Sequence, residues 1–436
     1  MFLEKRFRII QVSLLILGLF LAYFYAQHQI LTGDQTQMLY KGYMGAYKHV
    51  WINYGNAASA VGNVPGSMIS YVVALPVMLY DSPMAPMLFL MFLHLASYFL
   101  LDSVLKDIYK TDIRLIFLVL YWLNPWFLFE NILYNPSYLF FFSALHIWSA
   151  YKQREKSSFI YSALHVTAIG LALQFHYSWI ILALISLYLI YRKMVKVNWY
   201  GVVFGTLVIG ISLVPYLQTV MQNSAIIHHA DDTGRYIGWG GVHVYPVLKS
   251  FIYWLRYGSF FFPNKLIASA HFDWLGVSHV VQMIFVYGYK ALVFSVGAFT
   301  LYISYKANRY FYTLVKGKLF TKNQSIETKQ EWLFLYVFGA LLGVFVSSIL
   351  SPIIFSYWHL IIVFPFAIIP VVIYMKEYGQ KYMPKILIFI VVYFIFINIM
   401  GALDSRKYSI DTNYIQDTNA YIKKSVTQEV STLNIK

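Results

Sequence analysis

Long apolar runs alternate with short polar, mostly basic breaks along most of the chain. A run of about 20 apolar residues is the length that crosses a bilayer as a helix. The first run, 9–27, follows Lys5, Arg6 and Arg8 and passes into FYAQHQ without a small-residue cleavage box. It predicts a first transmembrane helix rather than a cleaved leader. Further helices are expected over 84–104, 115–130, 136–151, 158–175, 177–191, 199–217, 279–304, 331–350, 357–374 and 386–401. Two long segments, 28–83 and 218–278, interrupt the series, and the tail 402–436 is polar. The apolar stretch 67–80 is too short for an ordinary span and carries Pro76, so a re-entrant or interface-lying segment is expected. The same reading applies to 246–262, which holds Lys249 and Arg256. Both are placed at the external surface.

The expected architecture is an all-α polytopic membrane protein of about eleven transmembrane helices with external re-entrant or juxtamembrane segments. It divides into an N-terminal transmembrane module (1–217) containing the first external loop (28–83), a second external loop (218–278), C-terminal helices (279–401) and the tail (402–436).

Composition agrees with this pattern. Hydrophobic residues make up 59% of the chain and charged ones only 12%, against about 25% charged in soluble domains. The net charge of +15 would suggest a nucleic-acid partner on a soluble protein. Here 21 of the 33 Lys and Arg fall in the short breaks on one side of the predicted topology, which reads as positive-inside bias with a cytoplasmic N-terminus, and not as nucleic-acid binding. The chain has no Cys, which excludes thiolate catalysis, Cys-ligated metals and disulfides. No phosphate-binding glycine loop, HExxH or nucleophile elbow occurs, so an enzyme of this sequence must draw its energy from the substrate.

Candidate chemistry lies at the external helix ends, because polar groups near the apolar slab are costly and need a reason. Asp34, in TGDQTQ just past the first helix, could accept a proton from a hydroxyl or help hold a divalent cation. A helix cap explains it equally well. Glu130 sits in NPWFLFENILYNPSY, beside Tyr134 and between Pro125 and Pro136. Unwound backbone at membrane depth usually lines a cavity, and an acid there is poised for group transfer; an interfacial glutamate is the alternative. His176 in LQFHYSW could meet phosphate oxygens or a metal, or simply join an interfacial aromatic belt. His228, His229, Asp231, Asp232, Arg235, Trp239 and His243 form the densest external ionisable group, in which Arg235 could clamp a phosphate and plain solvation is the rival. Tyr357 and His359 open the tenth helix and suit either an interface belt or a headgroup pocket. Asp34, Glu130, Asp231 and Asp232 are the acids that could hold a metal such as Mg or Mn.

These segments, in this order, resemble the GT-C fold glycosyltransferases that use lipid-phosphate-linked sugars, a superfamily including protein O-mannosyltransferases, aminoarabinose lipid A transferases and Rgt-like bacterial enzymes. The matching elements are Asp34 in a long first loop, the proline-led segment from Pro65-Gly66 through Tyr80, Asn124-Pro125 ending the third helix, LALQFHY at 171–177, and the proline-spaced 352–370. The chain departs from the family pattern in having Pro136 before Ser137-Tyr138, and in the distance of Glu130 from Tyr138.

The resemblance implies transfer of a sugar from a polyprenyl-phosphate donor to a lipid, glycan or protein acceptor, with inversion, at the outer face of a bacterial cytoplasmic membrane. Membrane lipids are the surrounding partner, and the donor would enter laterally from the outer leaflet. Asp34 would be the general base. His176 and Arg235 would hold the leaving phosphate, with Tyr134, Tyr357 and His359 lining the donor site. A polysaccharide polymerase or ligase, or a lipid-linked substrate transporter or flippase, is the alternative. The sparse external basic residues and the missing internal repeat count against these.

Overall fold

The computed structural model describes residues 2–58, 62–227, 236–238, 241–263, 266, 272–320, 326, 328–404 and 412–433. Its helices pack as a bundle with two ends. One end carries the short basic connections, and the other carries the long loops.

Helix α1 (Phe2–His28) runs from the basic end to the loop end. The first loop then folds into α2 (Gly33–Lys48), a two-stranded hairpin of β1 (Tyr54–Ala58) and β2 (Gly62–Pro65), and α3 (Met68–Leu79). The hairpin is antiparallel, pairing Ala57 with Asn63, with an irregular register between Tyr54 and Ala57. Gly42 lets α2 lie flush on α3, because a Cβ there would sit 2.2 Å from the Val73 side chain.

Next come α4 (Ala85–Ile108), α5 (Thr111–Trp122), α6 (Pro125–Leu128), α7 (Leu139–Lys152), α8 (Phe159–Leu173), α9 (Trp179–Tyr191) and α10 (Trp199–Gln222). The second loop yields α11 (Val244–Tyr257). The chain closes with α12 (His279–Val315), α13 (Lys329–Leu350), the broken segment α14 (Tyr357–Leu360), α15 (Phe364–Ala367) and α16 (Ile369–Tyr378), then α17 (Met383–Asp404) and α18 (Thr412–Leu433).

Among the described residues seven helical stretches are long and apolar enough to cross a membrane, and 68–79, 159–173 and 179–191 are shorter apolar helices. Each expected apolar run is helical over most or part of its length. A bilayer tolerates only backbone that bonds internally, so such runs coil. The protein is an integral membrane protein.

Three boundaries differ from expectation. The third helix, expected over 115–130, stops at Trp122. Asn124 closes it: its Nδ2 donates to Leu120 O (2.8 Å) while its Oδ1 accepts from Trp126 N (3.0 Å) and caps α6. An extended Asn124 (φ −63, ψ 129) is what a following proline demands. The tenth helix, expected over 357–374, is broken into short turns, with Pro365 and Pro370 at the starts of α15 and α16. The eighth runs on to Val315, well past residue 304, through the first part of the expected basic loop.

Burial separates core from lipid-facing helices. The most apolar window of 357–378 is 83% buried, against 22% for those of α10 and α12. Polar pins tie the bundle. Asp102 on α4 receives Nε and Nη2 of Arg114 on α5 at 2.7 and 2.6 Å, and the Arg114 guanidinium lies 4.6 Å from the Phe7 ring. His146 contacts Tyr336 Oη (2.7 Å) and Ser186 Oγ (2.9 Å), and His165 reaches the same Ser186 at 2.8 Å, joining α7, α8, α9 and α13.

The segment from residue 243 to residue 272 enters and leaves at the loop end. His243 N donates to Ile349 O near the end of α13 (3.3 Å), and Phe251 packs on Phe345. Deeper in, Trp254 Nε1 donates to Asn308 (2.9 Å) on α12. The chain then climbs back. Phe260 N donates to Thr300 (2.9 Å), Phe262 packs on Phe394, and Phe272 N donates to Asp404 (2.6 Å) at the end of α17. Over its described residues this is a re-entrant helix with an irregular return, seated inside the bundle rather than resting on its outer surface.

Candidate active site

Three irregular stretches between or within membrane helices and the end of α11 meet at one place. The first is the irregular stretch after α5. Glu130 is fully buried there and accepts from Ser137 Oγ (3.2 Å). His94 of α4 braces the same turn, with Nδ1 to Asn131 Oδ1 at 3.0 Å and Nε2 to Ser137 O at 2.9 Å. Tyr134 is half-buried beside it, and its carbonyl accepts from Ser137 N (3.0 Å).

The second break is the turn between α8 and α9. Asn135 Nδ2 donates to Phe175 O (2.8 Å), and Tyr138 stacks on the Phe175 ring at 4.7 Å. His176 Nδ1 lies 2.6 Å from Ser178 Oγ and 3.2 Å from Ser178 N.

The third break is 351–369. Ser356 N donates to His359 Nδ1 (2.8 Å), which puts the ring proton on Nε2. The His176 and His359 rings lie 5.4 Å apart, and Ser178 Oγ donates to His359 O.

The re-entrant segment supplies the fourth wall. Tyr257 Oη donates to Tyr357 O, and the Tyr357 ring is 5.5 Å from Trp126. Trp126 Nε1 donates to Arg256 O (3.2 Å). The Arg256 guanidinium is half-buried, 5.4 Å from the Trp126 ring and 4.9 Å from Phe261, with Nε donating to Phe261 O (3.1 Å) and Nη2 to Phe262 O (2.5 Å). Glu130 lies within electrostatic reach of Tyr257. A carboxylate, a guanidinium, two imidazoles and several phenols thus gather on irregular backbone inside a membrane protein. Such groups are costly there and mark a working site.

Asp34 lies on a different element. It is the second residue of α2, half-buried, and its carbonyl accepts from Asn56 Nδ2 of the hairpin (3.0 Å). The capping role falls instead to Thr32 and Gln35, whose Oε1 accepts from Thr32 N at 3.0 Å. Lys41 follows Asp34 two turns later on the same face, about 10 Å along the axis by the rise of a helix. Its Nζ is buried and donates to Gly55 O (2.5 Å). Desolvation lowers the Lys41 ammonium to about 8, outweighing the Asp34 carboxylate that raises it.

The hairpin joins this first-loop group to the interior one. Tyr177 Oη donates to Asn63 O (3.2 Å), and Asn63 Nδ2 donates to Gly55 O (3.0 Å), the oxygen that Lys41 also uses. Gly66 (φ +83) is pressed against Gln174, where a Cβ would fall 2.2 Å from Oε1.

Glu130, Tyr134, His176, Tyr357 and His359 are therefore together, and Asp34 is tied to them through the hairpin. His228, His229, Asp231, Asp232, Arg235 and Trp239 lie outside the described residues. Lys41 and Arg256 escaped the sequence reading. The signal for Lys41 is its seven-residue spacing from Asp34, and for Arg256 a lone cation in an aromatic run. Among the described residues no three His, Asp or Glu side chains converge as a metal set, so no step is routed through a metal.

No protein-family model and no curated protein sequence matches the chain. Its fold is similar to two solved structures of ArnT from Cupriavidus metallidurans. For the crystal structure bound to undecaprenyl phosphate, the TM-score is 0.54 at 8% identity, covering 95% of this chain and 76% of that one. For the apo state it is again 0.54 at 8%, covering 97% of this chain and 76% of that one. With its broken helices, its folded first loop and this likeness over nearly its whole length, the chain has a GT-C-like polytopic membrane fold.

Proposed function

We propose that the protein is a membrane glycosyltransferase. It moves a sugar from a polyprenyl-phosphate donor to a lipid, glycan or protein acceptor at the extracytoplasmic face of the membrane. The observation that carries this reading is the hairpin linkage between Asp34 and Lys41 outside and the buried Glu130, Arg256, His176 and His359 group inside. A lipid-linked sugar has the matching form: an apolar tail, an anionic phosphate and a polar ring. The positive-inside rule supports the orientation, with the basic end in the cytoplasm.

In this reading the Asp34 carboxylate takes the proton of an acceptor hydroxyl as its oxygen attacks the anomeric carbon from the face opposite the phosphate. The bond between the anomeric carbon and the phosphate oxygen breaks, polyprenyl phosphate leaves with the electron pair, and the configuration inverts. Arg256 meets the charge that develops on the phosphate. The imidazoles of His176 and His359 add hydrogen bonds, as preorganised donors do in a water-poor site. Tyr134 and Tyr357 line the donor site, and Glu130 accepts from hydroxyls of the sugar. Arg256 takes the phosphate-clamping part that the sequence reading gave to Arg235.

Mass spectrometry of surface glycolipids, glycans and proteins, with and without the gene, tests this directly. One class should lose a sugar while its polyprenyl-linked donor accumulates. An unchanged surface and an unchanged donor pool would refute the proposal.

A further inference from the structure

The C-terminal helix α18 is not a free tail. Ile422 and Val426, one turn apart, are buried at 4% and 0% exposure, while Tyr421 on the other side is 73% exposed. The buried stripe lies against α2. Tyr43 Oη donates to Asn419 Oδ1, and the Lys423 ammonium sits 4.7 Å from the Tyr47 ring. Lys423 Nζ also donates to both carboxylate oxygens of Asp81, at 3.1 and 2.8 Å, and Tyr47 Oη donates to the same Asp81. Asp81 follows the Tyr80 cap of α3, so Lys423 of α18 binds the far end of α2 to the turn just after α3. α2 is thereby held on two faces, by α3 at Gly42 and by α18 at Tyr43 and Tyr47. Its first turn carries Asp34.

We propose that α18 is a brace for α2: the Lys423–Asp81–Tyr47 latch and the Ile422–Val426 stripe fix the rotation and tilt of α2, making Lys423 a positioning residue for Asp34 that stays docked through the catalytic cycle. The positioning claim rests on the role proposed above for Asp34. The lever is geometric. Asp34 lies nine residues before Tyr43, about 13 Å along the helix, so a small tilt at the latch displaces the carboxylate by a comparable fraction of that length. A general base displaced by about 1 Å can cost on the order of a hundredfold in rate.

The absence of native Cys allows a clean test in the full chain, in proteoliposomes. Tyr43→Cys paired with Asn419→Cys is treated with a short bis-methanethiosulfonate crosslinker, whose disulfide links form with loss of methanesulfinate and are reducible. The control pairs Tyr43→Cys with Tyr421→Cys on the exposed side. The brace predicts efficient linking of the first pair and little of the second. Equal linking of both contradicts the docking. The linked protein should keep at least half of the turnover of its reduced form. Loss of transfer on linking, restored by reduction, would mean that α18 must leave and would overturn the brace.

Lys423→Asp should lower kcat about tenfold with little change in the KM for donor, and adding Asp81→Lys to the same chain should restore most of it. Unchanged kcat in Lys423→Asp contradicts the positioning role. Hydrogen exchange over 33–48 separates this proposal from the assignment of function. Even if no transfer is found, Ile422→Asp with Val426→Asp must speed exchange in α2, and unchanged protection refutes the brace.

Discussion

Trp126 and Arg256 hold each other in two ways: the indole Nε1 donates to the arginine carbonyl at 3.2 Å, and the guanidinium lies 5.4 Å from the same ring. One residue follows the break after α5, and the other ends the re-entrant α11. Their pairing carries a positive charge to the interior of the bundle, where the Trp126 ring also meets Tyr257 and Tyr357. Nε and Nη2 of the guanidinium donate to the carbonyls of Phe261 and Phe262, which fixes its direction.

If Arg256 meets the leaving phosphate, Arg256→Ala should lower kcat by about 10²–10³-fold, the usual cost of losing one preorganised donor to developing charge. Arg256→Lys should recover only part of this, because an ammonium cannot reproduce the planar fork. Transfer assays with matched amounts of folded protein decide it. Equal activity of Arg256→Ala and wild type would remove Arg256 from the site.

The Asp102–Arg114 pair is buried, with side-chain exposures of 9% and 11%. Removing one partner leaves an unpaired charge at the α4–α5 contact. Arg114→Met should therefore destabilise the protein by about 3–5 kcal/mol, whereas replacing both residues with apolar ones of similar size should cost much less. Thermal unfolding in detergent distinguishes the two variants.

Lys41 predicts a pH signature. Its folded value of about 8 lies below the ordinary 10.5, so between these limits the unfolded chain binds more protons than the folded one. Stability must then rise with pH across about 8 to 10.5. Lys41→Met should abolish that rise. Unfolding midpoints of both proteins, measured at pH 7, 9 and 10.5, give the comparison.

Gly66 has φ +83 and faces Gln174. Gly66→Ala forces both a left-handed alanine, at about 1–2 kcal/mol, and a shift of the hairpin away from the His176 turn. Transfer should fall well below the level that the stability loss explains, read as kcat at saturating donor on folded protein.

Much of this was legible in the chain. Hydropathy locates the apolar helices, because lipid leaves a long apolar run no other structure, but not α2 or α18, which lie in the expected loop 28–83 and tail 402–436. Asn124-Pro125 announces a broken backbone, since proline forces its predecessor extended. The grouping of Glu130 with His176 and His359 follows from placing candidates at helix ends. Arg256 does not stand out as a site residue in the sequence because its partners are distant: Trp126 is 130 positions away. Nothing local in 246–262 separates a helix lying on the surface from one that dips and returns. α18 shows the same limit. Its apolar stripe is only two residues in the described part, and the face of α2 that receives it is set by tertiary packing.

The central claim is that Asp34 is the base of a glycosyl transfer from a polyprenyl-phosphate donor. The direct measurement is transfer of label from such a donor to acceptor in proteoliposomes, for wild type and Asp34→Asn, with folding of both verified. The account predicts transfer with release of polyprenyl phosphate for wild type, and a loss of about 10²-fold or more for Asp34→Asn, which keeps the shape of the side chain and removes its basicity. Equal rates for the two proteins would contradict it.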